Sequence, residues 1–131
     1  MVLVDTTVWI DFLRGHEGGK AKRLRDLLED GEVVCAPVIL QEILQGAASP
    51  EKLEVLRRDL SILPMFGGTA ATYANAGALY ARCRWRGITV RSPHDCLIAQ
   101  IALEHDLPLL HDDADYERLK TVEQRLRFDA A

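Results

Sequence analysis

Cysteine is scarce in this 131-residue chain. Its three thiols, Cys35, Cys83 and Cys96, are odd in number and show no Cys-x-x-Cys spacing, which excludes a disulfide framework and a zinc knuckle. Buried, reduced thiols are the expected state. Long apolar runs are missing as well. Val2-Leu3-Val4 follows no basic segment and stops at Asp5, too short for a signal peptide or a membrane span, so a cytoplasmic protein with no membrane partner is expected. The four histidines, His16, His94, His105 and His111, include no His-x-x-x-His pair, which argues against a helical zinc hydrolase site. No Gly-x-Ser-x-Gly elbow, phosphate loop or dinucleotide glycine fingerprint occurs, and Gly67-Gly68 reads only as a turn. Nor is there an excess of positive charge. Sixteen basic residues against 20 acidic ones leave a net charge of −4, which by itself announces no nucleic-acid binder.

What is present is ordinary for a folded soluble chain. Apolar residues make up 48% and charged residues 27%, which excludes intrinsic disorder. The length fits one domain over residues 1–131, with no room for a second core. A chain of this size buries roughly two-thirds of its unfolded surface and needs no metal to fold, so a bound metal would point to function. One local charge feature stands out. Arg82, Arg84, Arg86 and Arg91 fall within ten positions, and guanidinium forks suit phosphate, although a solvated helix face explains the same pattern.

Val2 to Val4 reads as a strand buried on both faces, with Asp5 at its C-terminal end. Trp9, Phe12 and Leu13 then trace a helix stopped by Gly15, and Leu24, Leu27 and Leu28 a second closed by Gly31. Val33 to Cys35 is the next strand, and Pro37 suits the first position of a helix that carries Ile39, Glu42 and Ile43. Ser49-Pro50 starts another helix through Leu53, Leu56 and Leu60, ahead of an expected edge strand at Ile62-Leu63. The longest helix is expected over Thr69 to Arg86, with Tyr73, Ala76, Tyr80 and Cys83 in phase and Gly87 as its stop. Ser92-Pro93-His94-Asp95 is the clearest helix start. Leu107 to Leu110 reads as a strand, followed by an acidic turn into a short helix, and Leu126 and Phe128 could form a last strand. Short buried strands separated by helices imply a three-layer α/β domain with a short, mainly parallel central sheet. Ligands of such folds bind beyond the carboxyl ends of the strands.

Five acids fall near those ends: Asp5, Glu42, Asp95, Asp113 and Asp115. Each has a local explanation, as a helix cap, a capping-box acid or a solvated helical residue. Together they read differently. Carboxylates that converge without a cation repel one another, and an all-oxygen donor set suits Mg²⁺ or Mn²⁺ rather than zinc. Such ions polarise a phosphoryl oxygen, activate water and stabilise a leaving oxygen, so the acids point to metal-dependent phosphoryl chemistry without naming a substrate. His94 and His111 adjoin these acids and could assist a proton transfer or simply bond within a polar loop.

Four segments in order carry a resemblance: Asp5-Thr6-Thr7 through Gly15, Glu42 within Val38 to Gly46, Asp95-Cys96-Leu97-Ile98-Ala99, and Leu109 to Tyr116. From residue 2 to about 120 the chain resembles PIN-domain ribonucleases of the VapC toxin type. The resemblance implies a PIN-like fold and a metal-dependent endoribonuclease using Mg²⁺ or Mn²⁺. It further implies the toxin half of a toxin–antitoxin pair, homodimeric and inhibited by a small VapB-type antitoxin. It assigns catalysis and metal binding to Asp5, Glu42, Asp95 and Asp113, with Asp115 as an additional metal acid and Thr7 in support. Thr7 stands where the family more often has Ser, His111 where it has Ser or Thr, and Tyr116 where it has Phe. Arg82, Arg84, Arg86 and Arg91 are candidate RNA contacts.

Two other readings compete. A phosphatase of the haloacid dehalogenase type also has an acid after its first strand, but a second Asp would be expected at Thr7. A PIN-like RNA-binding module without catalysis would be expected to lack one or more of the acids.

Overall fold

The computed structural model describes residues 1–130. Its elements, in order, are β1 (Val2–Val4), α1 (Thr6–Leu13), α2 (Gly19–Glu29), β2 (Val33–Val34), α3 (Pro37–Gln45), α4 (Pro50–Leu60), α5 (Ala70–Trp85), α6 (Pro93–Glu104), β3 (Leu109–Leu110) and α7 (Ala114–Val122). The three strands form a parallel sheet in the order β2-β1-β3, with Leu3 opposite both Val34 and Leu109. Every strand residue is buried, as a parallel sheet covered by helices requires. The expected α/β architecture is therefore observed.

Local chemistry sets most helix ends. Ser49 and Ser92 accept backbone N–H bonds from Lys52 and His94 at 3.2 Å each, and Pro50 and Pro93 follow them in the first turn. Gly87 takes φ +72° after α5, which lets the Ile88 N–H return to the Cys83 carbonyl at 2.9 Å. Gly31, at φ +67°, closes α2 in the same way through Glu32 and Leu27.

Four expectations need correction. Ile62-Leu63 forms a turn rather than an edge strand, and Ile62 is 82% exposed. Helix α4 runs to Leu60 and its exit is closed by the Leu63 N–H on the Leu60 carbonyl, so pairing begins only at Pro64 and Met65, where Met65 bridges Cys35. The C-terminal strand shrinks to one bridge between Phe128 and Leu109, and the strand expected from Leu107 keeps only Leu109–Leu110 because the Leu107 N–H caps α6 on the Ala102 carbonyl. On α5 the buried stripe is Thr72, Ala76, Leu79 and Cys83, whereas Tyr73 is exposed. This stripe packs on α6, whose own buried face runs from Asp95 to Ala102.

All three cysteines are buried free thiols. Burial pushes Cys35 up to about 11 and Cys96 up to about 12, so neither is a nucleophile near neutral pH.

Candidate acidic active site

The carboxyl ends of β1 and β3 place Asp5 and the His111–Asp115 turn side by side, because Asp5 N–H bonds the Leu110 carbonyl at 2.8 Å. The start of α6 brings Asp95, and α3 brings Glu42, to the same edge. Together with Thr6, Thr7, Ile10, Arg91, Ser92, Asp113 and Asp115, these residues line a cavity of about 350 Å³. Asp5, Asp95 and Asp115 are buried in its floor. The five acids of the sequence reading thus meet in one place.

Two of them also do the local work foreseen for them. Asp5 caps α1 through the Thr7 N–H at 3.1 Å, and Asp113 caps α7 through the Asp115 N–H at 2.9 Å. Asp95 does not complete a capping box. Its backbone N–H bonds the Ser92 carbonyl, while its carboxylate lies 3.4 Å from the Tyr116 hydroxyl. Glu42 is no freely solvated helical acid either: it accepts from the Thr6 hydroxyl at 2.8 Å and faces His94 Nδ1 at 3.5 Å.

Asp95, Asp113 and Asp115 each offer an oxygen within 4.8 Å of the others. This proximity has an electrostatic consequence. Burial, reinforced by Asp5, Asp113, Asp115 and Glu42, pushes Asp95 up to about 7, so without a counter-cation it is partly protonated at neutral pH. Asp115 moves the other way. Burial would raise it, but the Arg91 backbone N–H at 3.1 Å, Arg91 Nε at 3.2 Å and the Arg118 guanidinium together hold it below the ordinary carboxylate value.

Arg91 separates from the rest of its sequence cluster. Its guanidinium spans Asp115 and Asp113, reaching Asp113 at 3.0 Å from Nη2. Arg82 pairs instead with Glu123 at 3.5 Å, Arg86 bonds the Thr121 carbonyl at 3.4 Å, and Arg84 makes no ion pair among the described residues. Only Arg91 lines the acidic cavity. His111 is buried under Tyr116 and Phe128, with ring centroids 4.9 and 4.5 Å away. Its Nδ1 accepts from the Asp113 N–H at 3.1 Å, and burial pulls its pKa down, so it acts as a neutral brace for the Asp113 turn.

Sequence reasoning missed two hydroxyls. In the sequence nothing connects Thr6, next to Asp5, to Glu42, which lies 36 positions away, and Tyr116 reads only as a departure from Phe. Its hydroxyl donates to Asp5 Oδ1 at 2.6 Å. The composition of a helix start signals a cap; nothing in it signals a bond across the sheet.

This arrangement defines a class of protein: an α/β domain with clustered acids at the carboxyl edge of a parallel sheet. The PIN domain family model matches residues 2–122, and the chain belongs to the PIN-domain family. Within it, the chain is 34% identical over 126 residues to Ribonuclease VapC11 of Mycobacterium tuberculosis and to a VapC ribonuclease of Mycobacterium bovis, covering 93% of both chains in each case. Solved structures agree in fold. DNA-bound VapBC from Salmonella typhimurium superposes with a TM-score of 0.76 at 21% identity, covering 98% of each chain. FitAcB from Neisseria gonorrhoeae gives 0.71 at 19%, covering 98% of this chain and 97% of that one. No helix among the described residues is long and apolar enough to cross a membrane.

Proposed function

We propose that this chain is a metal-dependent endoribonuclease toxin of the VapC type, acting in the cytoplasm on RNA phosphodiester bonds. The observation that carries the reading is the convergence of Asp5, Glu42, Asp95 and Asp113, from separate elements, on one cavity. The donors fit the cation the family implies: they are all hard oxygens, and burial together with the neighbouring carboxylates already disfavours the charge on Asp95. Asp5, Glu42, Asp95 and Asp113 would hold Mg²⁺ or Mn²⁺, with Asp115 joining from the floor. A divalent cation bound there supplies Lewis-acid stabilisation of phosphoryl oxygens and lowers the pKa of an attacking water.

The remaining parts belong to the protein. Thr7 fixes one oxygen of Asp5 through its hydroxyl at 2.6 Å, while its own oxygen accepts the Asp112 N–H at 3.1 Å, tying the first strand to the acidic turn. Thr6 and His94 orient Glu42. Arg91, exposed but anchored on Asp113 and Asp115, offers its guanidinium to an RNA phosphate at the mouth.

An antitoxin segment has a place beside this mouth. Ile10, Leu13, Arg14, Ile43, Val55 and Leu56 line a cavity of about 520 Å³ that shares Ile10 and Glu42 with the acidic one. A VapB-type partner would seat apolar side chains there and occlude the acids. The homodimer is proposed on the same family grounds, and light scattering of the purified chain reads it directly.

The test is cleavage of single-stranded RNA by purified protein. Cleavage is expected with Mg²⁺ or Mn²⁺ and not after chelation, and Asp5→Asn should abolish it while the fold persists. RNA binding without cleavage in either metal would favour the non-catalytic module instead.

A further inference from the structure

Tyr116 has a polar group that the core does not need. Its ring is fully buried, and a phenylalanine would fill the same volume without bringing a hydroxyl that demands a partner. That hydroxyl reaches the floor of the acidic cavity, donates to Asp5 Oδ1 at 2.6 Å and lies 3.4 Å from Asp95 Oδ1. The other Asp5 oxygen, Oδ2, is held by the Thr7 hydroxyl at 2.6 Å and by the Thr7 N–H at 3.1 Å. Both oxygens of one carboxylate are therefore committed to donors.

A carboxylate on a terminal torsion rotates in a broad well, and each fixed donor narrows that well. Thr7 lies two residues along the same helix start and secures one oxygen through local geometry. Tyr116 comes from α7, 111 positions away, and fixes the torsion against the opposite element of the site. Its phenol, buried among carboxylates, stays a neutral donor rather than adding another anion. We propose that Tyr116 is a positioning residue: its hydroxyl orients Asp5, and spaces Asp5 from Asp95, for the divalent cation. The proposal rests on the metal-dependent reading above.

Partners that orient metal-ligating side chains typically contribute 10- to 100-fold to affinity. Mn²⁺ titrated calorimetrically into Tyr116→Phe should bind about tenfold more weakly than into wild type. Thr7→Val should weaken it comparably, and the double variant should lose less than the product of the two, because either change alone already frees Asp5. A merely structural hydroxyl would lower the melting temperature in chelator and leave the Mn²⁺ affinity and the coupling untouched. Equal Mn²⁺ affinity of wild type and Tyr116→Phe overturns the proposal while the metal reading stands; a wild type that takes up no Mn²⁺ overturns both. A second measurement needs no variant. The Tyr116 hydroxyl proton, followed by NMR in the wild-type chain, should shift as Mg²⁺ saturates the site, and a resonance indifferent to Mg²⁺ overturns the assignment.

Discussion

Asp95 and Glu123 are both buried acids, 8% and 7% exposed, yet they titrate in opposite directions. Asp95 is pushed up to about 7 by burial and by four neighbouring carboxylates. Glu123 is held down to about 2, first by the side-chain bonds from Arg125 at 2.8 and 3.0 Å, against the effect of burial and with further help from Arg82. The difference is the supply of cations. Around Glu123 the chain provides its own, and the carboxylate is a structural clasp between α5 and the C-terminal segment. Around Asp95 the one guanidinium that lines the cavity, Arg91, is taken up by Asp113 and Asp115, and no ion pair reaches Asp95 among the described residues.

The largest test of this contrast is catalytic. Asp95→Asn should lower RNA cleavage at saturating Mn²⁺ by about 100-fold or more, since losing several kcal/mol of transition-state stabilisation costs a factor of ten per 1.36 kcal/mol. Glu123→Gln should stay within about twofold, because neither it nor its partners Arg82 and Arg125 line the acidic cavity. Comparable initial-rate losses in the two variants would erase the distinction.

Stability against pH, measured by denaturation in excess chelator, separates the two regions next. Asp95 has a folded pKa above its unfolded value, so its contribution is fully present below about pH 4 and is lost as pH rises toward 7. That loss should reach about 2–4 kcal/mol, and Asp95→Asn should remove it, melting at or above wild type at pH 8. His111 has a lowered pKa and works in the reverse direction, costing stability as pH falls below its unfolded value near 6.5. The difference between wild type and Asp95→Asn cancels that background. A pH-independent difference would show that Asp95 is not the strained group.

Glu123 should behave as the mirror image. Its contribution is present above its unfolded value near 4.5 and lost as pH falls toward 2, so Glu123→Gln should destabilise by about 1–3 kcal/mol at pH 7 and match wild type near pH 2. Chemical denaturation at the two pH values checks it. Destabilisation that persists undiminished at pH 2 would assign the effect to packing.

The smallest expected effects concern the arginines. Arg91→Ala should weaken single-stranded RNA binding and reduce the log–log salt slope by about 0.7, the value for one phosphate contact. Arg82→Ala should leave the slope unchanged, because that guanidinium lies outside the acidic cavity, on Glu123. Salt titrations of RNA affinity decide between them, and an unchanged slope for Arg91→Ala would confine Arg91 to bracing the acidic turn.

Much of the fold could be read locally. Ser49, Ser92, Gly31 and Gly87 punctuate helices by hydrogen bonds that span two to five residues, and the apolar run Val2–Val4 has nowhere to go but a covered sheet. The failures share a cause. Ile62-Leu63 has strand composition, but the closing turn of α4 consumed it before Pro64; Tyr73 has helical phase, but the face of α5 that α6 covers lies one position away.

The sequence by itself determined the helix boundaries, the parallel α/β class and, through four ordered segments, the family to which the chain belongs. Only the tertiary structure decided where their neighbours point: Arg91 onto Asp113 and Asp115, Arg82 away to Glu123, Thr6 onto Glu42 and the Tyr116 hydroxyl onto Asp5. Propensity and capping act over one turn of chain, whereas these bonds join residues 22 to 111 positions apart. The Tyr116–Asp5 bond follows from the sheet order β2-β1-β3, which sets the carboxyl ends of β1 and β3 side by side, while the Thr6–Glu42 and Arg82–Glu123 pairs follow from the packing of α1 on α3 and of α5 on α7. A carboxylate's charge state follows from that placement, since it depends on distance to other charges and to water rather than on neighbours in the chain.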